Sequence, residues 1–154
     1  MHDVAGGTKA ITITKNVWFD ANWIFNVHVW DTSASPVATL IASFDLGSVL
    51  YPGGSYVPYP WSICARVIGN VVDFVVWPTG SPQPSWGDPA YGGAVTLPPG
   101  FEDAGHAGWY AGHLQPGEHA GFQDLVATPI GPAAGAPAAG RTRPRAPQHT
   151  PSLP

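Results

Sequence analysis

The chain has 154 residues with a net charge of −4; 19 are Gly, 18 are Pro, 44% are hydrophobic and 10% charged. A helix interior loses about 1 kcal/mol at each Gly and about 3 at each Pro, so this composition excludes a helical body, and the apolar content excludes disorder throughout. Residues 1–130 set Lys9, Lys15 and Arg66 against ten acids, which disfavours nucleic acid as a partner, whereas Arg141, Arg143 and Arg145 follow with no acid beside them.

The first residues, Met1-His2-Asp3-Val4-Ala5-Gly6-Gly7, have no basic region followed by an apolar stretch, so no secretory signal is expected and residues 1–9 read as a flexible lead-in. Ala10–Lys15 alternates as a half-buried strand. Trp23–Trp30 follows, with Trp23, Phe25, Val27 and Val29 on one face and Ile24, Asn26, His28 and Trp30 on the other, a mixed surface open to solvent or to a groove. Val37–Phe44 is an apolar run of strand length, and Tyr51-Pro52-Gly53-Gly54-Ser55 marks a turn. Trp61–Ile68, Gly69-Asn70 and Val71–Trp77 form the strongest hairpin signal, because Gly69-Asn70 supplies residues that tolerate positive φ between two runs of strand formers. Residues 79–85 read as a loop. Gly93–Leu97, Gly108–His113 and Ala120–Ala127 read as three further strands, the last two joined by a turn at Pro116-Gly117.

Seven or eight closely spaced strands predict an all-β fold, an antiparallel β-sandwich or jelly roll over residues 10–129. Residues 130–154, rich in Pro, Ala and Gly, cannot bury enough apolar area to offset their ordering entropy. They are expected to be a disordered tail with polyproline II character near the prolines. Cys64 is the single cysteine, so no intrachain disulfide forms. Strand alternation sets it opposite Ile63, Ala65 and Val67, where a small inert thiol fits. No run approaches the roughly 18 apolar residues of a membrane-spanning helix.

Three groups of residues carry a resemblance: Ala65-Arg66-Val67-Ile68-Gly69-Asn70, Asp73-Phe74-Val75-Val76-Trp77-Pro78-Thr79-Gly80, and Pro84-Ser85-Trp86-Gly87-Asp88-Pro89. In this order they resemble the hairpin-and-loop signature of concanavalin A-like (laminin G-like) jelly-roll domains. With Leu97-Pro98-Pro99-Gly100, Ala107–Leu114, Pro116-Gly117 and Phe122-Gln123-Asp124-Leu125, the stretch from 61 to 127 is similar to minor tail proteins of actinobacterial, chiefly mycobacterial, phages and prophages. The resemblance implies a virion structural protein made in the host cytoplasm. Its partners would be other phage tail proteins and, where it attaches to the host, a cell-surface polysaccharide. The body is shorter than a full jelly roll of this kind, which leaves first strands missing or shortened. A carbohydrate-binding module of a secreted hydrolase and a purely architectural tail module are the alternatives.

Trp86, Tyr91, Trp109 and Tyr110 lie in Gly-rich segments beside Asp88 and His113. Rings stacking on sugar C–H faces, with polar groups holding hydroxyls, would make these six a lectin-like groove; the competing reading sets the rings in the core and its edges. Trp77, beside a Pro-Gly turn, is expected to cap the open end of the core. Asp88 and Asp124 lie near turns whose backbone N–H groups carboxylates accept. No catalytic residues are expected: the paired acids of glycoside hydrolysis are missing as a Glu-x-Asp-x-x-Glu run, and adjacent Glu102 and Asp103 would face opposite ways on a strand. No cofactor is expected either. A structural Ca²⁺ would draw on Asp20, Asp31, Asp45 or Asp88, and a transition metal on His106, His113 and His119 with Asp103 and Glu118, although no tight ligand spacing unites either set.

Overall fold

The computed structural model describes residues 2–4, 7–16, 23–101, 105–112 and 114–130. Two antiparallel sheets hold β1 (His2–Val4), β2 (Gly7–Lys15), β3 (Ile24–Asp31) and β4 (Ala38–Asp45) in one, and β5 (Trp61–Ile68), β6 (Val71–Pro78) and β7 (Gly92–Thr96) in the other. We call them sheets A and B. Each is a meander, so among the described strands the chain changes sheet once, through a short helix α1 (Gly47–Leu50) and a 3₁₀ turn at Pro52–Gly54.

The alternation read from the sequence sets the core. Phe25, Val27 and Val29 of β3 meet Val72, Phe74 and Val76 of β6, with Ile11 and Ile13 of β2 and Ile63 of β5 packed at the sides. Leu46 and Leu50, fully buried at either end of α1, close the space where the chain changes sheet. In β4 a bulge opposite Val27 and His28 inserts Ile41, which reaches the core, while Leu40 pairs with His28 and stays exposed.

The tightest joint between the sheets is one ring in a glycine socket. Phe44 of β4 meets Phe74 edge-on, with centroids 5.2 Å apart and planes at 80°. A Cβ on Gly93 would stand 2.0 Å from the Phe44 ring, so β7 admits that ring only because residue 93 has no side chain.

β6 is buried on both faces, from Val72 to Trp77. Its outward residues Asp73, Val75 and Trp77 lie on the side away from sheet A, where residues 79–91 fold back over β5. Successive outward residues of β5 meet successive residues of this loop: Ser62 shares a 2.9 Å hydrogen bond with Thr79, the Cys64 thiol points at Gln83 Oε1 3.9 Å away, and the Arg66 guanidinium sits 4.2 Å from the centre of the Trp86 ring. Arg66 also donates to Asp73 Oδ2 at 2.8 and 3.2 Å, holding the one charged side chain of the core region in an ion pair. Trp77 therefore belongs to this outer layer. It does not cap the space between the sheets, because strand alternation turns it away from Phe74 and Val76.

The strands from residue 24 to 96 follow the sequence reading to within a residue or so. Three stretches differ. β1 and the start of β2 form strands inside the segment expected to be a loose lead-in. Residues 108–112 and 120–127, expected to be strands, have none, and nearly all of 105–112 and 114–130 is exposed. Their turn does form: Glu118 N–H donates to Gln115 O at 3.0 Å, Gln115 N–H to Glu118 Oε2 at 2.7 Å, and Gly117 has φ of +91°. Alternating apolar residues make a strand only when they pair with another strand, and these two stretches pair with none of either sheet. His113 and the tail from residue 131 lie outside the described residues.

Gly93→Ala forces a methyl into the Phe44 ring, and overpacking of this kind costs about 1–3 kcal/mol. Urea denaturation should show that loss, and Phe44→Leu in the same chain should recover part of it. Arg66→Ala leaves Asp73 buried without its partner and should destabilise by about 3–5 kcal/mol, more than an Arg66→Met, Asp73→Leu pair does.

Candidate functional site

Of the six residues nominated from the sequence, the structure places three on the covering loop and two, Trp109 and Tyr110, on the arm 105–130. Trp86 is half-buried with one ring face against Arg66, so its indole serves the fold. Asp88 Oδ1 accepts the Ala90 N–H at 3.0 Å and its carbonyl takes the Tyr91 and Gly92 N–H groups, a turn-forming role. Tyr91, half-buried, lends its carbonyl to Val76 N–H and extends the β6–β7 ladder. Trp109 and Tyr110 stand exposed on the arm 105–130, where Trp109 stacks on Phe122 with centroids 4.9 Å apart and planes within 10°. His113 lies outside the described residues. Among the described residues no ring contact joins Trp86 or Tyr91 to Trp109.

The outward face of sheet A is better built for a ligand. Its central strand presents Asn26, His28 and Trp30 away from the core, as the mixed alternation of residues 23–30 anticipated. Beside them β2 sets Thr12 and Thr14, and β4 sets Leu40 and Ser43. These side chains bond to each other: Trp30 Nε1–H donates to Thr12 Oγ1 at 2.9 Å, Thr14 to Thr12 at 3.4 Å, Ser43 to Asn26 Oδ1 at 2.7 Å, and Asn26 Nδ2 to Asn16 Oδ1 at 3.3 Å. The row is fixed before any ligand arrives. It is uncharged apart from Asp45 at its margin, and its Trp30 indole is 39% exposed. His28 Nδ1 is shut off from water with no hydrogen-bond partner, a state that costs about 1–3 kcal/mol.

A second concentration of rings lies at the end of the sandwich where the chain changes sheet. Trp23 stacks on Tyr51 (4.5 Å, 12°), Tyr51 meets Tyr56 (4.6 Å, 55°), and Tyr59 leans on Trp61 (4.5 Å, 33°). Trp61 Nε1–H donates to Val57 O at 3.1 Å, which ties the 51–60 segment to the start of β5. Lys15, at the end of β2, places its ammonium 5.8 Å from the Trp61 ring centre and 5.9 Å from that of Tyr59. Burial pushes the Lys15 ammonium below its ordinary range. Burial, then the neighbouring Tyr56, pushes the Tyr59 phenol above its own, although the ring remains 67% exposed. The sequence reading took this stretch only as turn and extended chain. The signal it passed over is the recurrence of Tyr at 51, 56 and 59 between prolines.

At the opposite end, Val29, Asp31, Pro36, Val37, Pro98 and Phe101 line a small cleft of about 220 Å³. The Asp31 carboxylate there is held below its usual range by the Ser33 hydroxyl and backbone N–H, with Lys9 3.7 Å away. Of the nominated calcium ligands, Asp45 accepts the Gly47 N–H, Asp88 and Asp31 are engaged as described, and Asp20 lies outside the described residues. Among the described residues no three His, Cys, Asp or Glu side chains gather as a metal site. Comparison of the chain with protein-family models, with curated proteins and with solved structures finds no match, so a functional reading has only these residues to stand on.

The two perturbed groups at the ring-rich end act oppositely in alkali. The raised Tyr59 phenol contributes stability in full below pH 10 that is lost as pH rises through its folded value. The depressed Lys15 ammonium opposes folding while charged, and that opposition lifts as pH rises through its lowered folded value toward 10.5. Phenolate absorbance should show Tyr59 ionising above the ordinary value of 10.0, a step that Tyr59→Phe should remove.

Proposed function

We propose that the chain is a non-enzymatic, glycan-binding β-sandwich module of a phage or prophage tail, its ligand a neutral polysaccharide of the host cell envelope. The observation that carries the binding reading is the exposed Trp30 indole beside a self-bonded, uncharged row of hydroxyls and amides on sheet A. A pyranose offers a C–H face to stack on an indole and hydroxyls that both donate and accept. Thr12, Thr14, Asn26 and Ser43 supply matching groups, already ordered, so little side-chain entropy is lost on binding.

The tail assignment is supported by the order of the signature residues, to which the structure lends a physical sense. Arg66, Asp73, Trp77 and Trp86 hold loop 79–91 against β6. The likeness to concanavalin A-like jelly rolls lies in that hairpin and its cover, while the described strands run as two meanders and not as the Greek keys of a full jelly roll. The same sugar chemistry would serve a module of a secreted hydrolase, and tail genes on either side of this one would exclude that origin.

One observation favours an architectural role beside binding. The arm 105–130 exposes Trp109, Tyr110, Leu114, Phe122, Leu125, Val126 and Ile130, with Val126 at 82%, an apolar stretch of the kind that packs against a neighbouring subunit.

Calorimetric titration with isolated envelope polysaccharide should show binding that falls at least about tenfold in Trp30→Ala and in Asn26→Ala, a loss of about 1.4 kcal/mol or more. Trp109→Ala and Trp86→Phe should leave it unchanged. Binding that survives Trp30→Ala with Asn26→Ala in one chain overturns the sheet A site.

A further inference from the structure

The ring-rich end of the sandwich does not enter the glycan reading, and its chemistry suits a different ligand. Shallow grooves between tilted Tyr and Trp rings are surfaces on which a polyproline II helix docks, because proline rings wedge between aromatic faces and the helix arrives already ordered. Here Tyr51, Tyr56, Tyr59 and Trp61, with Trp23 behind Tyr51, provide such rings within one loop and its flanking strands. The Asp45 carboxylate stands at the same margin. Its Oδ1 and the Trp23 indole both lie within about 3 Å of the point where a Cβ on Gly47 would sit.

The chain itself contains a segment of matching pattern. Residues 141–147 read Arg-Thr-Arg-Pro-Arg-Ala-Pro, and Pro151-Ser-Leu-Pro154 repeats the spacing of Pro144 and Pro147. A polyproline II helix has three residues per turn, so Arg141, Pro144 and Pro147 share one edge. Two prolines would meet the rings, and an arginine one turn earlier would meet a carboxylate. Charge favours the encounter, since residues 1–130 carry a net −7 and residues 131–154 carry +3. Reach is no obstacle: the thirteen residues between Ile130 and Pro144 can span about 43 Å as extended chain, longer than an eight-residue strand of about 27 Å. Arginine on an aromatic face is a contact this protein already makes, between Arg66 and Trp86.

We propose that the aromatic end formed by Tyr51, Tyr56, Tyr59 and Trp61, with Asp45 at its margin, binds the proline-arginine segment 141–147 of the same chain. The segment is thereby held at the end of the sandwich opposite the 220 Å³ cleft and away from the Trp30 face. This inference is independent of the glycan reading.

The test uses the full chain and a fluorescently labelled synthetic peptide of residues 139–150. A variant with its own segment disabled, Arg141→Ala with Pro144→Ala and Pro147→Ala, should bind the peptide at least about tenfold more tightly than the unaltered chain, whose own segment competes. Adding Tyr59→Ala to the disabled chain should weaken binding at least tenfold, and adding Asp45→Asn should weaken it and flatten its dependence on salt. Cooperative thermal melting confirms that each variant is folded. Competition that is undiminished by dilution identifies the segment of the same chain. Competition that fades on dilution together with a dimeric mass in light scattering assigns the segment to a second copy and overturns the same-chain proposal. Failure of the disabled chain to bind the peptide, or binding indifferent to Tyr59→Ala and Asp45→Asn, overturns the proposal. Polysaccharide titration on the same variants reports on the Trp30 face separately.

Discussion

The burial of β6 on both faces is the constraint on which the rest of the molecule depends. A central strand in a two-layer sandwich ordinarily has one wet face, and polar side chains there cost nothing. In this chain the outward face carries Asp73, Val75 and Trp77, which would expose an indole and a valine unless something lay over them. Residues 79–91 are that cover, fastened at Ser62, Cys64 and Arg66 in succession. Arg66 acts twice, as the counter-ion that makes a buried Asp73 tolerable and as the cation under Trp86. The motif that looks functional in the sequence is thus largely a device for burying one strand in a third layer.

With loop 79–91 committed to the fold, the two sheets present different outward faces. In sheet B the outward face of β6 is covered. Sheet A has its outward face open, and there the side chains are short, neutral and bonded to one another. Rigidity of this kind is unusual on a solvated sheet, where long charged residues are the norm, and it lowers the entropy lost when a ligand is held. The loops between the sheets contribute something different, a group of rings and one depressed lysine with no comparable row of hydroxyls.

The arm 105–130 shows how far local pattern goes without a partner. Its turn at 115–118 forms because Gly117 and the Glu118 side chain need nothing beyond four residues. A single ring stack, Trp109 on Phe122, marks where two strands would face each other. No ladder follows, since strand pairing of a lone hairpin is marginal in water. The apolar residues left outside are the same ones whose alternation suggested strands.

The sequence by itself determined the all-β character and the strands between residues 24 and 96, with the core face of β3. These follow from side-chain alternation, turn residues and the helix penalty of Gly and Pro, all local effects. It also marked Asn26, His28 and Trp30 as a mixed face. Only the tertiary structure decided that Trp86 and Trp77 belong to a covering layer, that Gly93 makes room for Phe44, and that Tyr51, Tyr56, Tyr59 and Trp61 converge with Lys15 at one end. Those arrangements join residues tens of positions apart, and the period of a strand says which way a side chain points but not what will be waiting there.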